Sequence, residues 1–202
     1  MRAFVRRRGA FVAHVGAQER TILARVVADT CELLGAPVAQ DPPDGVAVPE
    51  ADGEDPLAGL AWSAEAVTTP ADPALARLLP DASVTDEEVS AEFRRLTEAD
   101  LRETKTARLR MVWAALRGPG EELRVSPEHA MDWASALNDV RLVVAQRLEI
   151  RTEEDAETLH AAAGSGAEED GDRVREALAM LYSALTWLQE SLLQVMLPTL
   201  ED

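Results

Sequence analysis

One short run places groups capable of chemistry where a core would be expected. In Ala136-Leu137-Asn138-Asp139-Val140-Arg141-Leu142, an amide, a carboxylate and a guanidinium interrupt an apolar helical stripe. Burying such groups is costly unless each is paired. Two readings follow. Asp139 and Arg141 point to different sides of a helix, so each can pair with a neighbouring helix at the edge of a core. Alternatively, Asn138, Asp139 and Arg141 line a site for a ligand or a partner protein. Two further features could act. Arg6, Arg7 and Arg8, with Arg2 close by, form either a solvated turn or a positive patch able to dock phosphate or an acidic protein. Cys31, the only cysteine, is either a small core residue or an accessible thiol open to oxidation or to bridging another chain. No arginine adjoins it, and Glu32 disfavours its thiolate.

Other chemistry finds no foothold. His14, His129 and His160 are scattered, and no paired Cys or His spacing suits a metal. There is no nucleophile elbow, phosphate loop or dinucleotide fingerprint. The nearest glycine cluster, Gly164-Ser165-Gly166, precedes Glu168-Glu169-Asp170, which would repel phosphate. Carboxylates are too numerous for any one acid/base pair to stand out. The expectation is a protein with no catalytic residue, no metal and no cofactor.

Composition narrows the class. A formal net charge of -17 repels nucleic acid and anionic membranes, so direct nucleic-acid binding is disfavoured unless the arginine cluster provides it. Lys105 is the single Lys among 20 basic residues, a preference for Arg that reads as coding bias rather than as selection for anion recognition. A lone cysteine excludes an intramolecular disulfide. The charged start does not suit a secretory signal, and no apolar run reaches the about 18 residues a membrane span needs. A soluble cytoplasmic chain, monomer or homodimer, is the expectation.

These groups must be positioned by helices. Aromatics are only 4% of residues while Ala and Leu abound, which favours a mainly α helical bundle. The chain reads as one helical domain over 1–202. Residues 3–15 form a small N-terminal β-hairpin whose turn is Arg6 to Gly9, and a helix follows from Gly16 to Leu34. Segments 36–54 and 151–171 read as acidic flexible loops. A short helix spans Pro73 to Leu79. Thr85-Asp86-Glu87-Glu88 reads as a capping box for a helix over 85–117, which is either continuous or bent near Ala99. Ser126-Pro127-Glu128 opens a helix to Ile150, with Trp133 in its core stripe.

The last helix, Asp172 to Leu197, carries a heptad seam through Val174, Leu178, Leu181, Leu185, Leu188, Leu192 and Val195. Its flanks are apolar too, at Met180, Trp187 and Leu193. It is therefore expected at the centre of the bundle, enclosed by the stripes of the other helices, rather than in a dimer seam. Trp62, beside the first acidic loop, is an interface candidate if exposed.

Several stretches together carry a resemblance. They are Ala91-Glu92-Phe93-Arg94-Arg95-Leu96-Thr97, the Ala-Leu-Asn-Asp-Val-Arg-Leu-Val run within Trp133 to Leu148, and Trp187-Leu188-Gln189-Glu190. With the arginine-rich hairpin and Pro73 to Pro80, the chain resembles an actinobacterial family of domain-of-unknown-function proteins. That family is typically encoded beside the Clp protease adaptor, and it includes AosR-like oxidative-stress-sensing transcriptional regulators. The resemblance implies redox-dependent contact with the transcription machinery through a cysteine pair. Cys31 is alone here, so an intramolecular disulfide switch does not carry over. The resulting expectation is a non-enzymatic regulator acting through protein contacts in stress-linked transcription. An accessory role in Clp-dependent proteolysis is the alternative, and an enzyme or ligand-binding bundle with a pocket near Asn138, Asp139 and Arg141 is a third.

Overall fold

The computed structural model describes residues 1–38, 70–81, 83, 85–150, 152, 155 and 170–197. The acidic segments 39–54 and 156–169, and Trp62, lie outside the described residues. The fold is mainly α, with a small antiparallel sheet at the N-terminus.

Strands β1 (Arg2–Arg7) and β2 (Ala10–His14) form the hairpin, in register Arg7↔Ala10 and Val5↔Val12. The turn is tighter than the sequence suggests. Arg6 and Arg7 belong to the strand, and only Arg8 (φ 49) and Gly9 (φ 75) turn the chain. Positive φ at both positions is what a two-residue hairpin matched to strand twist requires. A third strand, β3 (Glu122–Val125), pairs with β2 and completes the order β1-β2-β3. Four residues between a glycine-rich turn and Pro127 are too few to show strand periodicity, so it escapes sequence reading.

Helix α1 (Ala17–Leu33) starts at Gly16, whose N–H donates to Glu19 Oε2 at 2.7 Å. Helix α2 (Pro73–Leu78) is capped by Asp72, which accepts from Ala74 N–H at 2.7 Å. Helix α3 (Glu87–Leu116) is continuous. Its cap is Asp86, accepting from Val89 N–H at 3.0 Å, not the Thr85 of the expected capping box. A 3-10 turn over Pro127–His129 leads into α4 (Ala130–Arg147), and α5 spans Asp170–Met196.

Two packing expectations are overturned. The centre of the bundle is α4, which packs against α1, α2, α3 and α5. Helix α5 lies outside, buried through Leu178, Leu181, Leu185, Leu188 and Leu192 against α4 and β1, with Met180, Trp187 and Leu193 exposed. Its broad apolarity therefore does not signal full enclosure. Val89, Phe93 and Leu96 on the first turns of α3 are exposed as well.

The middle of α3, poor in large apolar residues, is tied down by polar contacts instead. Its far end is held by α1: Arg20, almost fully buried, donates to the backbone oxygens of Leu116 (2.8 Å), Ala115 (2.6 Å) and Gly118 (2.9 Å). Those carbonyls lie at the helix C-terminus, where intrahelical donors run out. Removing this fork leaves buried acceptors unpaired. Arg20→Met is expected to lower unfolding stability by about 2–3 kcal/mol, read as a shift in urea midpoint at unchanged slope.

Candidate functional site

The three polar residues of the Ala136–Leu142 run diverge. Asp139 is buried on the α3 side, where Lys105 Nζ donates to its Oδ1 at 2.5 Å. Its Oδ2 is buried with no hydrogen-bond partner. Three residues further along α3 and seven back along α4, Arg108 Nε donates to Asp132 Oδ1 at 2.8 Å, so two ion pairs join α3 to α4. Arg141 faces α5. Its Nη1 donates to Gln189 Oε1, and its guanidinium lies over the Tyr182 ring, 5.5 Å from the centroid. Gln189 in turn donates from Nε2 to the Ala134 carbonyl at 2.9 Å, so the amide bridges two points of α4. Asn138 is half-buried and joins neither contact among the described residues.

The geometry follows from helix pitch. Asp139 and Arg141 are two residues apart, about 200° around the axis, so they address opposite neighbours. Together they hold α4 in register with α3 and α5. Asp72 does the same for α2: its Oδ2 accepts from Arg147 Nη2 at 2.5 Å, and Arg77 donates to Gln146 Oε1 at 3.2 Å.

Burial, outweighing the opposing pull of Lys105, holds the Asp139 carboxyl above its ordinary range. The folded chain therefore keeps this proton more readily than the unfolded chain. Its contribution is present below the unfolded pKa and is lost as pH rises through the folded value. Between the ordinary carboxylate range and neutrality, wild-type stability relative to Asp139→Asn should therefore fall as pH rises, checked by urea midpoints across that window. The pair itself is tested separately. Lys105→Met strands a buried carboxylate and should cost about 3 kcal/mol, most of which the double variant Lys105→Met/Asp139→Leu recovers.

The arginine cluster sits apart, on the hairpin. Arg6, Arg7 and Arg8 are exposed. Arg7 reaches from β1 to Glu122 on β3 at 3.3 Å, over the intervening Val12, which is buried. Arg124 approaches the same carboxylate at 3.7 Å.

Cys31 is fully buried on α1, and burial pushes its thiol up to about 11. The accessible-thiol reading does not survive this placement, since a reactive thiol needs access and a lowered pKa. A thiol-labelling reagent at pH 8 should leave Cys31 unmodified in the native protein and titrate it fully in denaturant. Trp187, expected in the core, is 41% exposed, whereas Trp133 is buried as expected.

Sequence reasoning missed Lys105, Gln189 and Arg20. Lys105 had a signal: one lysine retained in an arginine-rich chain. Gln189 and Arg20 had none, because their partners are distant in sequence.

Among the described residues, no group of three or more His, Cys, Asp or Glu side chains could hold a metal ion, and no helix is long and apolar enough to cross a membrane. The side chains of Asp139 and Arg141 tie α4 to its neighbours, and the hairpin presents exposed basic side chains. The fold and site define a mainly α protein with a small antiparallel sheet, an interior polar network and an exposed basic hairpin. It belongs to the family described as Domain of unknown function (DUF2017), which matches residues 1–196. No curated protein and no solved structure matches it.

Proposed function

We propose that this protein is a non-enzymatic regulator that acts by contacting another protein, in stress-linked transcription. One observation carries the reading. Asp132, Asp139 and Arg141 of α4 are occupied by inter-helix ties, while Arg6 and Arg8 project from the hairpin with no hydrogen bond or ion pair among the described residues. Groups locked in a buried network stabilise packing, whereas exposed uncommitted charge is available to a partner. Transcription as the setting comes from the resemblance to AosR-like regulators, and so does the second reading, an accessory of Clp-dependent proteolysis. Cys31 has no part in the proposed action, because its burial removes the access that thiol chemistry needs.

The test is affinity capture from lysate of the source cells, with and without oxidant. Recovery of RNA polymerase or a sigma factor supports the regulator, and recovery of the Clp protease or its adaptor supports the accessory role. The recovered partner should be the same for Cys31→Ala in both conditions. A measurable catalytic turnover abolished by Asp139→Asn in a folded variant would overturn both.

A further inference from the structure

The sheet is a positive island on a negative protein. Arg2, Arg6, Arg7, Arg8 and Arg124 stand on its strands and turn, faced in β3 and just before it only by Glu121 and Glu122, in a chain of net charge -17. Arg7 and Arg124 share Glu122, and His14 Nε2 lies 2.9 Å from Glu121. Arg2, Arg6 and Arg8 are exposed and engage no described residue. Arginines on an edge strand also deter edge-to-edge aggregation, which accounts for charge but not for what lies beside it.

Beside it is uncovered apolar surface. β1 is an edge strand, and its Phe4 N–H donates to Ser191 Oγ of α5 at 3.2 Å, which seats the strand edge along that helix. Trp187 and Met180 precede Ser191 by four and eleven residues, so they share its side of α5. They are 41% and 56% exposed, and Val5 on β1 is 52% exposed. Arg, Trp and Met are the residue types enriched where proteins bind proteins, Trp and Arg most of all at energetic centres.

We infer that the edge formed by β1 and the adjoining side of α5 docks an acidic segment of a partner protein that also carries apolar side chains. Its carboxylates meet Arg6 and Arg8, and its apolar side chains cover Trp187 and Met180. Charge decides for a short acidic segment over a nucleic acid. Screening confines the attraction to about 8–10 Å, so a segment senses the island, whereas a long polyanion also meets the acidic remainder. Phosphates would also leave the indole and thioether uncovered. This inference rests on the reading of the protein as one that acts by contact.

The experiment is fluorescence anisotropy on the full chain with three probes: a twelve-residue peptide of Glu and Asp interleaved with Leu and Phe, the same charges interleaved with Gly and Ser, and a duplex DNA. The first peptide should bind most tightly. Arg6→Glu/Arg8→Glu and Trp187→Ala should each weaken it about tenfold or more, while Leu96→Ala, on the exposed face of α3, should not. Circular dichroism verifies that each variant is folded. The surface is overturned if that peptide does not bind, if neither variant weakens it, or if duplex DNA binds more tightly through the same arginines. A lysate partner whose capture is indifferent to these variants overturns the surface while leaving the protein-contact reading intact. Peptide binding in the expected pattern with no partner captured upholds the surface and sinks that reading.

Discussion

The buried carboxylate of Asp139 is the constraint around which the helices settle. A charge in the interior is tolerable only beside its partner, and Lys105 on α3 is that partner, 2.5 Å away. This fixes where α3 lies along α4. The second pair, Arg108 with Asp132, repeats the constraint three residues along α3 and seven back along α4. Helices packed only by apolar side chains can slide by a turn at modest cost. Two separate ion pairs cannot both survive such a slip, so register is specified as well as stabilised. That also explains why α3 is unbroken. Its middle lacks the large side chains that would hold it by burial, and charged contacts replace them: Lys105, Arg108, and Arg102 donating to the Leu34 carbonyl at 3.1 Å.

Once α4 is held to α3, the other elements follow. Arg141 and Gln189 bind α5 to the opposite side, and Arg147 with Asp72 holds α2 at the C-terminal end. Arg20 closes the far end of α3, leaving the chain free to turn through Gly120 (φ 79) into β3. A Cβ at Gly118 would stand 3.2 Å from the Ala115 oxygen that Arg20 also uses, so the turn and the clamp share one tight site. The sheet is thus anchored through β3 to α3 and through Phe4 to α5.

Elements whose pattern is local were legible in the sequence: the hairpin, the helices near 17–33, 73–78, 87–116 and 130–147, and the core position of Trp133. So was the divergence of Asp139 and Arg141, which needs only helix pitch. What failed depended on distance. Four residues of β3 have no periodicity to read, and they form a strand because β2 offers a free edge. The centrality of α4 over α5 could not be read from apolar content, since a helix that is central and one that lies outside can carry equally wide stripes. Trp187 shows why: an aromatic on a heptad flank counts toward apolarity whether or not another element arrives to cover it. Gln189 and Arg20 were invisible for a related reason, as each is defined by a partner at least 48 residues away.

The use of arginine ties the interior to the surface. Its placement in the fold is specific. A guanidinium offers several donors in a fixed plane, so one side chain can serve several carbonyls at a helix end, as Arg20 does. Arg102 and Arg110 likewise reach the backbone at the end of α1, and Arg77, Arg108, Arg141 and Arg147 reach side chains of neighbouring elements. The acidic surplus lies elsewhere in the sequence: residues 39–69 contain no Lys or Arg and include Asp41, Asp44, Glu50, Asp52, Glu54, Asp55 and Glu65. Much of the basic charge among the described residues is thus committed to holding elements together. Against that usage, Arg6 and Arg8 stand out because no described residue forms an ion pair with them, and Glu122 across the sheet is already shared by Arg7 and Arg124. Arginines with no carboxylate beside them among the described residues are the ones we propose take their complementary charge from a partner.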